Sequence, residues 1–400
     1  MAKLNRLSYF GHDSSDAAII KRVASLKECG LHVDGFMMKR FEGPDPNWDN
    51  VNLGHTKNAA YLDRFLSVFK GAFRAAKHKE TLRAADFIIA RNMDMLATAF
   101  LAKLLIGSKT PVVYECLDIH RLLCRSDMLG KAMRFIEGSL VARTAGVLVS
   151  SPAFLTQHFE RYYRGKYRSF LVENRLPASF AREIARPAKS ATSKRSDSAP
   201  LRLGWVGILR CERTLDLMKR VAEALGDQVE IKIHGKLGVW MEAEFRKSIA
   251  PYSNITFHGA YQAPRDLTQI YGGLDLIWSG DFMEAGFNSV WLLPNRIYEG
   301  GYFAVPAIAP AGTQTAAWIS EKTSGFVVDE PLEDTLISLL RDLNSDRQQM
   351  VERRNALLTA PDTDLVEPTG YIRQLLNKIF DPSDDPISAQ HVHLQKPDQA

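Results

Sequence analysis

Asn295, Arg296 and Glu299 fall within five residues of an otherwise apolar segment, LPNRIYEGGYFAVPAIA at 293–309. Each polar group there needs a protein partner or a polar ligand, because a buried polar atom without a hydrogen bond is costly. Asn295 and Glu299 stand four apart, which puts them on one face of a helix. Pro294 suits the start of that helix, and Gly300-Gly301 is expected to end it. A carboxylate so placed can accept both hydroxyls of a vicinal diol such as a ribose, with Arg296 orienting it or reaching phosphate. An i,i+3 ion pair between Arg296 and Glu299 is the alternative that needs no ligand.

Arg210 and Arg213 follow the strand pattern LRLGWVGIL and precede a helix with Leu215, Met218, Ala222 and Leu225 on its apolar face. A helix start beside two arginines is a seat for a diphosphate, although solvated loop arginines would look the same. No GxGxxG or Walker pattern accompanies them. In PVVYECLDIHRLL, Glu115, Asp118 and His120 gather at a strand end, where a carboxylate can serve as a general base or simply cap a helix. GHDSSDAAIIKR offers His12, Asp13 and Asp16 at the start of the first helix; Asp16 reads as a cap and Asp13 as a reserve base. Arg91 and Asn92, with Asp94, suit hydrogen bonding to acceptor hydroxyls, as do His12 and His120; Asn174 and Arg175 stand near a hinge.

These loops must be held by strands. Short β-branched runs (LSYFG, LHVDGFMM, ADFIIA, PVVYECL, GVLVSS, then LRLGWVGIL, EIKIHG, ITFHG, LDLIWSG, VPAIAP) alternate with segments of helical period, for example 16–29, 129–143, 214–225, 264–272 and 295–302. That alternation predicts α/β structure with parallel sheets covered on both faces. A chain of 400 residues exceeds one ordinary core, so two domains are expected: 1–178 and 201–380. The polar stretch 179–200 reads as a linker, and 381–400 as a disordered tail. Ligands in doubly wound sheets bind at the carboxyl ends of strands, where the polar groups named above all fall.

Composition excludes several classes. No run of 18 apolar residues is present and the start lacks a signal-peptide core, so a cytoplasmic location is expected. Four cysteines without a CxxC suggest neither a disulfide framework nor zinc. The net charge of +5 comes without a nucleic-acid-binding motif. The one concentrated basic stretch, 64–83, carries Phe65, Val68, Phe69, Ala72, Phe73 and Ala76 at helical spacing among Arg64, Lys70, Arg74, Lys77, Lys79 and Arg83. It fits either a helix packed on a core or one resting on anionic lipid.

The order from Gly207, Arg210 and Arg213 through EIKIHGKLG and NITFHGAYQAPRDLTQIYGGLDLIWSG to LPNRIYEGGYFAVPAIAP and TSGFVV resembles the nucleotide-sugar domain of GT-B glycosyltransferases, most specifically in NRIYEGG to VPAIAP. The first half resembles the family less strongly. Taken together, the chain is similar to the GT-B enzymes of bacterial exopolysaccharide assembly. The resemblance implies two doubly wound Rossmann-like domains facing across a cleft, with a UDP-sugar, glucose first, as co-substrate and no cofactor or metal. It implies donor contacts at Gly207, Arg210, Arg213, Asn295, Arg296 and Glu299, the last to the donor ribose, and an aspartate base for which Asp118 stands first. It also implies a lipid-linked saccharide acceptor at the inner membrane face, which favours the lipid reading of 64–83. One departure stands out: the common retaining pattern has an acid eight positions before the glutamate, where this chain has Trp291. A degenerate scaffold of the same fold and a nucleotide-sugar epimerase are the alternatives this leaves.

Overall fold

The computed structural model describes residues 4–39, 46–55, 61–187, 199–285 and 287–381, the side chains of 55 and 61–65 excepted. Two sheets account for the strands. The first is built from β1 (Arg6–Gly11), β2 (His32–Lys39), β3 (Asn50–His55), β4 (Phe87–Arg91), β5 (Val112–Cys116), β6 (Gly146–Val149) and β7 (Ser169–Leu171), in the order β3-β2-β1-β4-β5-β6-β7. The second contains β8 (Leu201–Leu209), β9 (Val229–Leu237), β10 (Ile255–Gly259), β11 (Leu276–Trp278), β12 (Ala307–Pro310) and β13 (Gly325–Val328), ordered β10-β9-β8-β11-β12-β13. Every pairing in both is parallel. The strands absent from the periodicity reading, β3, β7 and β13, are all edge strands, where one side of the backbone is unpaired and a continuous apolar run is not required.

In the first half, α1 (Ala17–Glu28) lies on one face of the sheet, where Ile19, Val23 and Leu26 meet Leu7, Tyr9 and Val33. Three helices cover the other: α2 (Tyr61–Ala76), α3 (Asn92–Ile106) and α4 (Met128–Val141), with Ala72, Ala75, Met95, Ala99 and Val141 against Phe10, Phe36, Ile88 and Val147. In α2 the buried stripe is Gly71, Ala72 and Ala75, whereas Phe69 and Phe73 face outward. The expectation of a single apolar face through Phe69 and Phe73 is corrected accordingly. The side chains of Arg64 and Phe65 lie outside those described.

Two assigned boundaries also change. Part of the expected linker forms α5 (Ala178–Glu183), whose Phe180 is buried in the second half's core. Residues 188–198 of that segment and the tail from 382 lie outside the described residues. In the second half, α6 (Glu212–Leu225) packs on one sheet face and α7 (Asn295–Tyr302) on the other. The last described helix, α8 (Tyr371–Phe380), returns to the first half: Ile372, Leu375, Leu376 and Ile379 share a core with Leu7, Tyr9 and Val33. Domain membership is therefore not contiguous up to 380.

Candidate active site

Both sheets reverse strand order beside their first strand, between β1 and β4 and between β8 and β11. A crevice opens at such switch points. The segments leaving those strands carry His12 and Asp13, Asn92, Arg210 and residues 279–285 and 287–294. The glycines of β8 and β9 help deliver Arg210. Gly207 (φ 132°) faces Gly235 (φ 151°), and a Cβ on Gly235 would lie 1.7 Å from the Gly207 carbonyl oxygen, so the paired strands extend to Leu209 and Leu237 only with glycine there.

Across the gap, Asp118 follows β5 and Asn288 belongs to the loop after β11. Asn288 Nδ2 donates to Asp118 Oδ1 at 2.6 Å and also to the Ile119 carbonyl. Arg210 Nη2 donates to Asp281 Oδ2 at 3.2 Å, and its charge acts on Asp118 as well. Burial, followed by the Glu284 and Asp281 carboxylates, pushes Asp118 up to about 6 against the opposing pull of Arg210 and the Ile119 amide. A carboxyl group balanced near neutrality is what a general base needs. Two residues expected from the two halves, Asp118 and Arg210, thus lie near enough for the charge of one to act on the other.

The opening segment forms a helix at the expected bounds, Asn295–Tyr302, preceded by Pro294. The glycine pair does not end it. Gly300 and Gly301 are inside α7, where added Cβ atoms would meet Ile277, Tyr271 and Leu365, and the chain turns away at Ala304 with φ 57°. Glu299 is buried and makes no ion pair with Arg296. Its Oε1 accepts from Lys21 Nζ of α1 at 2.9 Å and its Oε2 from the Tyr271 hydroxyl at 2.9 Å. A carboxylate offers about four lone-pair sites, so two partners leave capacity for further donors. Burial and the adjoining Glu299 hold the Tyr271 hydroxyl well above its ordinary range, so it remains a donor.

Four buried polar atoms along this path have no hydrogen-bond partner: Ser279 Oγ, Asn288 Oδ1, Asn295 Oδ1 and Arg296 Nη1. Others occur elsewhere among the described residues, but a run of them between a strand end and a helix start fits a place where a polar ligand would supply the missing bonds.

The other expected residues have structural partners, although His12 Nδ1 and both terminal nitrogens of Arg91 are buried without a hydrogen bond. Arg91 is fully buried and donates from Nε to Glu115 Oε2 at 2.8 Å, below the surface an acceptor would reach. Glu115 also accepts from Arg22 Nε at 2.7 Å and the Tyr9 hydroxyl at 2.6 Å, so it is a structural anchor. Asn92 takes a left-handed conformation (φ 65°) and its Oδ1 accepts from the Leu117 amide. His120 Nδ1 accepts from the Leu122 amide as a helix cap. Asp13 is buried and accepts from the Ser15 amide and hydroxyl at 3.0 Å, which fastens its loop. Asp16 caps α1, accepting from the Ala18 and Ile19 amides, and His12 Nε2 lies 3.8 Å from it. Arg213 is exposed, bonds Glu330 at 2.7 and 2.9 Å and lies over the Phe282 ring, so in this conformation its guanidinium is committed there. Asn174 Nδ2 donates to the Leu293 carbonyl at 3.4 Å, joining the halves near the hinge. Trp291, at the position where the common retaining pattern has an acid, packs on the first half's core, and its carbonyl accepts from Ser151 Oγ at 2.5 Å.

Sequence reasoning did not single out Lys21, Tyr271, Asp281 or Asn288. The signal available for Lys21 was a cation set among apolar residues in AAIIKRVA; Asn288 had none.

No family model matches the chain. The succinoglycan biosynthesis protein ExoL of Rhizobium meliloti is 33% identical over 360 residues, covering 88% of each chain. Among solved structures, a sucrose-phosphate synthase from Thermosynechococcus elongatus superposes with a TM-score of 0.66 at 15% identity, over 95% of this chain and 100% of that one. HepE of Anabaena, in complex with UDP, superposes with a TM-score of 0.62 at 14% identity, over 94% and 100%. The structural likenesses establish the fold, and the sequence likeness the kinship: the chain belongs to the GT-B glycosyltransferases of bacterial exopolysaccharide biosynthesis, the family of ExoL.

Proposed function

We propose that the enzyme moves a hexose, glucose first, from a UDP-sugar to a lipid-linked saccharide, with inversion and with Asp118 as base. The acceptor hydroxyl gives its proton to Asp118 while its oxygen bonds to the anomeric carbon. The bond from that carbon to the diphosphate oxygen breaks, and UDP leaves with the electron pair. Arg210 and the start of α7, with Arg296, are the positive groups available to the leaving diphosphate. Glu299, already holding Lys21 and Tyr271, has acceptor capacity left for the ribose hydroxyls. The observation that carries this reading is the hydrogen bond that brings Asp118 of one half against Asn288 of the other, beside the four unpartnered polar atoms. The UDP seen in HepE is consistent with the donor class.

The outer surface of α2, α3 and α4 supports a membrane-bound acceptor. Phe73, Leu104, Met128 and Phe135 are each more than half exposed, with Leu66, Leu105, Leu129 and Ile136 beside them on the same helices. Exposed Lys70, Arg74, Lys77 and Lys131 are interspersed. Apolar side chains rimmed by cations on one helical layer suit an anionic lipid surface. No described helix is long and apolar enough to cross a membrane.

The test is to incubate purified protein with a panel of radiolabelled nucleotide sugars and a membrane lipid extract. Label from a UDP-hexose is expected in the organic phase. Label that enters only from another nucleotide class, or that enters no lipid at all, overturns the reading.

A further inference from the structure

We propose that Asn288 is a positioning residue: through its hydrogen bond to Asp118 the donor half sets the base in place when the two halves meet. This rests on the assignment of Asp118 as base. Asn288 is 1% exposed, and both bonds of its amide nitrogen go to the opposite half, to Asp118 Oδ1 and the Ile119 carbonyl. Both partners accept, so the NH2 group must be the end that faces them. Its own loop is fastened independently. The Trp291 amide donates to the Asn288 carbonyl at 2.9 Å, Ser289 Oγ accepts from the Glu284 amide at 2.8 Å, and Thr315 Oγ1 donates to the Leu292 carbonyl at 2.9 Å. That loop continues through Pro294 directly into α7, which carries Asn295, Arg296 and Glu299. A ligand seated on the start of α7 therefore acts on the same hydrogen-bonded segment that grips the base. Asn288 Oδ1, buried and without a partner, is the face this residue still has to offer.

The amide bond has a definite electrostatic sign. A donor to a carboxylate favours the ionised form, so Asn288 works with Arg210 and the Ile119 amide. Opposing them are Glu284 and Asp281 from the donor half. The nearby Cys116 and Cys124 thiols, themselves held up by burial, stay neutral. Removing the amide leaves the carboxyl group facing two acids with one support fewer.

The pH profile of kcat/KM is the readout. Asn288→Ala should move its acid limb upward by about one unit and lower kcat about tenfold. Asn288→Gln should restore part of the profile, and Asn288→Asp, which sets a second carboxyl group against the first, should shift it further. In an Asp118→Asn background, Asn288→Ala should add nothing. If Asp118→Asn abolishes transfer yet Asn288→Ala leaves the profile in place, the positioning role is wrong while the base assignment stands. If Asp118→Asn itself transfers sugar normally, the base assignment fails and this inference with it. Should Asn288→Ala not fold, Asn288→Ser, which keeps a shorter donor, carries the same test.

Discussion

Asp118→Asn is expected to lower kcat by about 10²–10⁴-fold while leaving UDP bound, because an amide is isosteric with the carboxylate but cannot take a proton. In the wild type the same group predicts the pH dependence. Its value of about 6 means that transfer falls off as the pH drops below that point and the carboxyl group becomes protonated. Stability runs the other way. An aspartate whose folded value is raised above its unfolded one favours folding while protonated, and that contribution is lost as pH rises through about 6. Ionised Asp118 thus costs the folded state about 1–2 kcal/mol at pH 7–8, after allowance for its partial exposure. Asp118→Asn should accordingly raise the unfolding temperature at pH 8 and have little effect on it near pH 4. Thermal scans at the two pH values, run beside the transfer assay, check both halves. A variant that retained transfer, or that was destabilised at pH 8, would contradict the assignment.

Glu115→Gln is expected to cost about 3–5 kcal/mol of stability, the largest loss of any single change considered, because it takes the close carboxylate partner from buried Arg91 and leaves buried Arg22 with Glu367 alone. Glu115 joins Arg22 of α1, Arg91 at the end of β4 and Tyr9 of β1, and Arg22 reaches on to Glu367 at 3.0 Å, just ahead of α8. Burial alone would raise the Glu115 carboxyl group; Arg91 and Arg22 overcome that and hold it down at about 2. Here the sign is the opposite of that for Asp118. A depressed carboxylate contributes stability above its unfolded value of about 4.3, and that contribution is lost as the pH falls toward about 2. Denaturant titrations should show a wild type that weakens from about pH 4 downward and a Gln variant already weak at pH 7. A variant as stable as the wild type at pH 7 would show that the network contributes little.

Much of the frame was legible because it depends on local pattern. The bounds of α7 and the capping role of Asp16 follow from residue spacing and cap chemistry, and the central strands from continuous apolar runs. Edge strands were missed where the burial signal is weakest. The site was legible in part. Asp118 and Arg210 were singled out because strand ends in such sheets collect ligands, a rule of topology that sequence order reveals. Which polar groups pair was not legible, since Lys21 and Glu299 are 278 positions apart and Asn288 and Asp118 are separated by 170. Nothing local distinguishes a lysine that neutralises a buried acid from one that is solvated. For the same reason the bonds of Arg91 to Glu115 and of Asp13 to Ser15 could not be read from residue type.

Calorimetric titration of UDP into the wild type and into Glu299→Gln tests most directly the claim that the nucleoside lies between the halves with its ribose on α7. The account predicts one UDP site in the wild type and an affinity at least tenfold lower in the folded variant, since the acceptor for the ribose hydroxyls is weakened and half replaced by a donor. Equal affinity in the two proteins would contradict it, and would leave Glu299 with no role beyond neutralising Lys21.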